Sequence, residues 1–228
     1  MIKKKTHRYA KTAATRNRLL HTAAELFAQN GYEGTTTRQI TAAAGVNIAA
    51  IPYYFKNKEG LYLAVLASIA ERVRAVLSDD IVAIQNALKT KSLTQEKCRI
   101  LLHGMIETFT RFLLSDDISP SIARIFLREQ MNPTPSFTPF YEMTMRPMHE
   151  TLTRLVARAT RAPYPGAEAT LRAHALLGSV TVFKTHKELA QRRLNWKRYD
   201  KKNVDKILHV VHRHLDGILN VYRPEDRP

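Results

Sequence analysis

The chain has a single cysteine, Cys98, among its 228 residues. One thiol cannot form an intrachain disulfide, and it cannot alone supply a cysteine metal cluster. Chains without disulfides are typical of reducing compartments. The scarcity of cysteine therefore favours a cytoplasmic protein and excludes a disulfide-stapled fold.

Long apolar runs are also missing. No run approaches the roughly 18 residues that a membrane-spanning helix needs. The basic start MIKKKTHRYAK is not followed by the apolar core of a signal peptide. We therefore expect a soluble, cytoplasmic chain with no membrane partner.

Acidic residues are scarce: 20 Asp and Glu stand against 36 Lys and Arg, a formal net charge of +16. The imbalance is densest at the front, where the first 60 residues hold ten Lys or Arg and three Glu. Such an excess favours a polyanionic partner, although a surface of one charge sign also serves solubility alone.

Glycine is rare as well, with 8 residues, and apolar residues recur at three- and four-residue steps rather than alternating. This pattern predicts an all-α protein. We expect a first helix over 13–30, a second over 37–44, a short third helix capped by Asn47, and a fourth from Asn57 toward residue 88.

The second and third helices are joined by AAGVN, which predicts a helix-turn-helix with the chain reversal at Gly45. Ile40, Val46 and Ile51 are spaced to fill its small core. Small and apolar side chains can approach base edges and thymine methyls, and Asn can pair with adenine. The residues expected to face outward are Asn47, Ile48, Ala50, Pro52, Tyr53 and Tyr54.

Three motifs carry a family resemblance. A-x-x-L-F-x-x-x-G-Y runs from Ala23 to Tyr32, T-T-x-x-I opens the second helix, and Y-x-F-x-x-K-x-x-L begins at Tyr53. In this order and spacing they resemble the N-terminal DNA-binding domain of the TetR family of transcriptional repressors. The later segments ARIFLREQMNPTPSF, PMHETLTRLV and HALLGSVTVF look like the CecR (YbiH-type) subfamily.

The resemblance implies a homodimer whose helix-turn-helices enter the major grooves of a palindromic double-stranded DNA operator. It places the DNA contacts at two groups of positions. The phosphate-contacting group is Thr36, Thr37, Tyr54 and Lys58, and Arg38 is a further predicted DNA-binding residue. The base-contacting group is Asn47, Ile48, Ala49, Pro52 and Tyr53.

Two points about this surface stay open. Tyr53 and Tyr54 either contact DNA or pack against the first and fourth helices, and the arm KKKTHRYAK either binds DNA or only solubilises the chain. Pro52 departs from the family pattern. A proline there removes a backbone donor, which predicts that the third helix is kinked or starts late.

The last helix carries a continuous apolar stripe, which needs a partner. In the TetR family the final helix pair forms the dimer interface, so the resemblance implies a second subunit as that partner; packing within one subunit is the alternative. The residues predicted at the interface are Val211, Leu215, Ile218 and Leu219.

Phe and Met are concentrated in the middle helices, where such side chains adapt to small molecules. The resemblance implies an effector of unknown identity. Polar residues nearby are plausible orienting groups. The predicted pocket residues are Met105, Phe109, Phe126, Arg128, Glu129, Tyr141, Met145 and His149.

No spacing indicates a catalytic site, a metal site or a cofactor. HVVHRH near the end has no carboxylate at ligand spacing, and there is no glycine-rich phosphate loop. We therefore expect no enzyme. The predicted organisation is a DNA-binding domain over 1–60 and an effector-binding and dimerisation domain over 61–228, acting as a repressor released by a small molecule. The alternative is a ligand-independent DNA-binding or architectural protein controlled by a protein partner.

Overall fold

A computed structural model of the chain describes residues 2–90, 92–115 and 119–220, and of residues 2–11, 144 and 220 it describes the backbone only. These residues form α-helices, one π-helical segment over Tyr141–Met145, and no strand, so the expected all-α class is confirmed. The helices are α1 Ile2–Asn30, α2 Thr37–Ala43, α3 Ala50–Phe55, α4 Lys58–Leu88, α5 Gln95–Leu114, α6 Pro120–Met131, α7 Phe137–Phe140, α8 Arg146–Thr160, α9 Ala167–Thr185, α10 Lys187–Leu194 and α11 Lys201–Asn220.

One compact unit contains the residues up to Arg72 together with Ser119–Met143. In it, α1 packs against α2 and α6. The core is apolar because each helix turns its three- and four-spaced apolar residues inward. Its buried side chains include Leu19 and Phe27 of α1, Ile40 of α2, Ile51 and Phe55 of α3, and Leu61 and Tyr62 of α4.

A buried carboxylate fixes α6 within this unit. Glu129 is 1% exposed and accepts a hydrogen bond from the Tyr62 hydroxyl at 2.6 Å. Its other oxygen accepts from the backbone N–H and the hydroxyl of Thr134, at 3.2 and 3.1 Å. Burial and this hydrogen bond raise the pKa of Tyr62. The carboxylate is thereby supplied with donors, as a buried charge requires.

The neighbouring Arg128 forms a hydrogen bond to the C-terminal end of α1. Its Nη1 donates to the carbonyl of Phe27 at 2.9 Å. The helix stops at Gly31, whose φ of +78° is the left-handed conformation usual after a helix C-terminus. A Cβ on Gly31 would lie 3.2 Å from the Arg128 Nη1. Glycine therefore leaves room for the guanidinium.

The second unit contains Val73–Ile118 and Thr144–Pro228. Here α5, α8, α9 and α11 pack on one another. Their shared core includes Leu102, Met105, Leu152, Leu155, Leu176, Val180, Val211 and Leu215. The division into compact units follows packing, and the functional boundary at residue 60 stays a prediction.

The prediction that Val211 and Leu215 of α11 contact a second subunit needs correction. The apolar stripe of α11 is packed inside its own subunit: Val211 and Leu215 are 0% exposed in the core, and Ile218 and Leu219 lie half-buried against it. Fully buried side chains have no surface left for a second subunit. Val211 and Leu215 are therefore core residues rather than direct interface residues.

Candidate nucleic-acid interface

The helix-turn-helix begins at a capping box. The Thr36 backbone N–H donates to Oε1 of Gln39 at 2.7 Å, and the Gln39 N–H donates to the Thr36 hydroxyl at 3.2 Å. These bonds satisfy amides that the first helical turn leaves without carbonyl partners. Thr36 is exposed, Thr37 half-buried and Arg38 exposed. The capping box thus holds Thr36, Thr37 and Arg38, three predicted DNA-binding residues, at the start of α2.

The reversal after α2 depends on Gly45. Its φ is +61°, its N–H donates to the carbonyl of Ala42, and the next N–H, of Val46, donates to the carbonyl of Thr41. This pair of bonds is the Schellman pattern that closes a helix. It directs the chain from α2 toward α3 through a defined turn.

The third helix starts later than the cap at Asn47 predicts. The Asn47 side chain does accept a hydrogen bond, from the Ala49 N–H at 2.9 Å, but it does so in a turn, and α3 begins at Ala50. Pro52 is then the third residue of α3. The first four amides of a helix lack carbonyl partners, so a proline there sacrifices no helical bond. The late start expected from Pro52 is confirmed.

The side chains of this short helix divide between core and solvent. Ile51 and Phe55 are buried, whereas Ile48 is 50% and Tyr53 75% exposed. Tyr54 is half-buried, with its ring edge toward Tyr53 at a centroid distance of 4.7 Å. The remaining predicted base-contacting residues, Asn47, Ala49 and Pro52, are all exposed. Large apolar side chains left open beside small ones suit a contact surface.

Lys58 already has partners inside the protein. Its Nζ donates to the carbonyl of Tyr32 at 2.9 Å and lies 4.2 Å from the centroid of the Tyr32 ring. This lysine therefore stabilises the loop after α1, and its predicted phosphate contact would compete with that role. Lys56, which sequence reasoning did not single out, directly follows α3 and is exposed. The signal available was a lysine immediately after the recognition helix.

The predicted effector residues belong to different packing environments. Phe126, Arg128, Glu129 and Tyr141 lie in the first unit, and Met105, Phe109, Met145 and His149 lie in the second. Arg128 donates to the carbonyl of Phe27, and Glu129 accepts from the Tyr62 hydroxyl, so both side chains already have partners within the protein. The rings of Phe126 and Phe140 pack edge to face, with a centroid distance of 6.2 Å. Met105 is 2% exposed, and the half-buried His149 ring has its centroid 5.3 Å from that of His174.

Comparison with known proteins identifies the chain. Residues 19–65 match the family described as bacterial regulatory proteins, tetR family, and residues 98–221 match the C-terminal domain of the HTH-type transcriptional dual regulator CecR. The CecR protein of Shigella flexneri is 31% identical over 204 residues, which cover 90% of this chain and 91% of that relative. The chain belongs to the TetR family of transcriptional regulators, with a CecR-type C-terminal domain.

Solved structures share the fold of this TetR-family regulator at low sequence identity. AibR, in complex with isovaleryl coenzyme A and operator DNA, has a TM-score of 0.61 and 16% identity over 88% of this chain and 97% of its own. PfmR from Thermus thermophilus has a TM-score of 0.54 and 20% identity over 90% and 95%. As a member of the TetR family, the chain is a DNA-binding transcriptional regulator, and this family is not enzymatic. Among the described residues, no helix is both long and apolar enough to cross a membrane.

Proposed function

We propose that this regulator binds a palindromic operator as a homodimer, represses transcription there, and is released by a small molecule. The observation that carries the DNA-binding part is the exposure of Tyr53 and Ile48 at a short helix whose Ile51 and Phe55 are buried. Within the DNA-binding family, this exposed surface is the natural reader of the major groove.

The assignment of contacts follows side-chain chemistry. Asn47, Ile48, Ala49, Pro52 and Tyr53 approach bases, because amide and apolar groups distinguish base edges and thymine methyls. Thr36, Thr37, Arg38, Tyr54 and Lys58 hold phosphates, and the exposed Lys56 joins them. Phosphate contacts set position, whereas base contacts set sequence preference.

A second copy of the chain would cover the exposed side of α9 and α11. Leu171 is 69% and Val182 42% exposed on α9, and Val210 is 44% exposed on α11. An open surface groove of about 780 Å³ is lined by both helices. Leu171, Ala175, Gly217 and Ile218 form its apolar part, and Glu168, Arg172, Ser179, Arg213 and His214 are also at its surface. Side chains added at Gly178 or Gly217 would meet no atom within 4 Å. Small residues there permit close approach of a partner helix, with Ile218 and Leu219 at its edge.

The effector-responsive part rests on the predicted pocket residues and on the relative AibR, whose structure contains isovaleryl coenzyme A as well as operator DNA. An effector releases DNA only if it favours the non-binding conformation. Alanine variants of Phe109 and Phe126 test the two groups of candidate residues separately, by thermal-shift screening of small molecules and release of operator.

A ligand-independent DNA-binding protein is the second candidate. It is favoured by the hydrogen bonds that already occupy Arg128 and Glu129 and by the close packing of Met105. If no compound shifts the melting temperature or releases DNA, this second candidate replaces effector control.

The experiment for DNA recognition is selection from a random duplex library by the purified full chain. We expect an inverted repeat, because two related recognition helices meet grooves about 34 to 36 Å apart. Recovery of sequences with no shared motif would contradict operator recognition. Enrichment of a single half-site would contradict the proposed dimer but not sequence-specific DNA binding.

A further inference from the structure

A row of arginines occupies the C-terminal end of α8. Arg154, Arg158 and Arg161 are separated by four and three residues and are exposed, whereas the other residues from Thr151 to Thr160 are buried. The four-residue step places Arg154 and Arg158 on one face of α8. Arg161 follows the last helical residue and has a left-handed φ of +57°. The solvent-facing end of α8 is therefore formed by guanidinium groups.

These arginines line one side of an open cleft of about 980 Å³, here called the arginine cleft. Its other lining residues are Leu88, Leu93, Thr94, Gln95, Ala157, Ala162 and Tyr164, and no acidic side chain is among them. Leu93, Ala157 and Ala162 are at most 8% exposed, so the floor is apolar. The volume is within the range of small-molecule sites.

Contacts within the protein hold this cleft in shape. The Arg154 Nε donates to the Tyr164 hydroxyl at 3.1 Å, and the guanidinium carbon lies 5.2 Å from the ring centroid. The Gln95 Nε2 donates to the carbonyl of Ala159 at 2.8 Å, which ties the start of α5 to the end of α8. These contacts fix Arg154 against Tyr164 and join the two helix ends that border the cleft.

Helix stabilisation explains only part of this arrangement. Cations near a helix C-terminus interact favourably with its dipole, which accounts for Arg158 and Arg161. Arg154 lies more than a turn earlier and has the carboxylate of Glu150, four residues before it, as an electrostatic partner. Neither effect accounts for the apolar floor beside the three arginines. Arginine binds phosphate through paired, charge-assisted hydrogen bonds, and an aromatic ring beside it supports a flat ligand.

We propose that the arginine cleft binds a small molecule that carries a phosphate group and an apolar or aromatic body. The phosphate lies against Arg154, Arg158 and Arg161. The body lies on Leu93 and Ala162 beside Tyr164. This site is distinct from the eight residues predicted for the effector, and it does not depend on operator binding.

The test is calorimetric titration of the full chain with 1-naphthyl phosphate, compared with 1-naphthol and inorganic phosphate. We expect one saturable site per subunit for naphthyl phosphate and much weaker binding of each fragment alone. Arg158→Gln should weaken binding about tenfold, because it removes a charge-assisted hydrogen-bond donor. Arg154→Gln is the second variant and should act in the same direction.

Arg193→Gln is the matched control, since Arg193 is an exposed arginine in the last turn of another helix, α10. It should leave the affinity unchanged. The proposal is overturned if naphthyl phosphate does not saturate, if 1-naphthol binds equally well, or if Arg193→Gln weakens binding as much as the cleft variants. Because DNA is absent from the assay, such a failure would leave the proposed operator binding untouched.

Discussion

Single residues in this protein often have partners far away in the sequence. Glu129 is bonded to Tyr62, 67 positions away, and Arg128 reaches Phe27 across 101. The residue types alone favoured an exposed or ligand-facing role, because charged residues are seldom fully buried without partners. Only the packing of α6 against α1 supplies those partners, so sequence spacing could not reveal them.

Glu129→Ala should lower the free energy of unfolding by about 3 kcal/mol, because it leaves the Tyr62 hydroxyl and the Thr134 donors without an acceptor. Chemical denaturation followed by circular dichroism measures the change. Gln130→Ala, at the exposed neighbouring position, is the control and should cost little. Equal stability of the two variants would show that the buried network contributes nothing.

His149 should make the protein less stable in acid. Burial, and then the nearby His174, lower the pKa of His149 from 6.5 to about 4. Between these values the unfolded chain binds a proton that the folded chain does not, so stability decreases as the pH falls through this window. His149→Gln should reduce the difference in melting temperature between pH 7.5 and pH 5.

The exposed His209 provides the control for this experiment, and His209→Gln should leave the pH dependence unchanged. Some dependence should persist in His149→Gln, because burial also lowers the pKa of His212. An identical pH profile for His149→Gln and the unmodified chain would contradict the assignment.

At the scale of elements, the helix-turn-helix was largely predictable. The motif placed α2 and the turn correctly, because its signals are local: a capping threonine, a glycine with positive φ and apolar residues three or four apart. The exact start of α3 was less accessible. Asn47 has the chemistry of a helix cap, but the turn at 47–49 and Pro52 moved the helix start to Ala50.

Gly45→Ala should destabilise the DNA-binding unit by about 1 kcal/mol, because an L-residue pays to adopt the left-handed conformation. Its Cβ would meet no atom within 4 Å, so steric clash adds nothing. Gly45→Asn is the matched comparison and should cost less, since Asn tolerates positive φ. Denaturant titration of both variants measures the difference, and an alanine variant as stable as the unmodified chain would refute the strain.

The whole molecule shows what a sequence pattern leaves undecided. The stripe on α11 correctly indicated a buried face, but periodicity does not say whether the covering surface comes from the same subunit or another. The structure places Val211 and Leu215 in their own core. Exposed residues of α9, including Leu171, are therefore the proposed surface for a second copy. Because α9 is apolar on several sides, its sequence pattern does not show which of its apolar residues are exposed.

Leu171→Glu should convert the proposed dimer into a folded monomer. The side chain is 69% exposed within one subunit, so the substitution costs the fold little, whereas a charge buried between subunits is unfavourable. Analytical ultracentrifugation measures the mass. Ile100→Glu, at a position on α5 with 63% exposure, is the control and should remain dimeric.

Leu215→Arg separates the two locations of the interface. Because Leu215 is fully buried in the subunit, this substitution should unfold the second unit rather than release intact monomers. If Leu171→Glu instead remains a stable dimer, the dimer interface does not include Leu171.

The central claim is that exposed residues around α3 read DNA sequence. The most direct measurement is a titration, by fluorescence anisotropy, of the selected duplex and a scrambled duplex of equal length at fixed salt, with the unmodified chain and Tyr53→Ala. We expect the unmodified chain to prefer the selected duplex by roughly a thousandfold or more. Tyr53→Ala should lose about tenfold on that duplex and little on the scrambled one, with its melting temperature unchanged. Equal affinity of the unmodified chain for both duplexes, or equal loss on both in Tyr53→Ala, would contradict it.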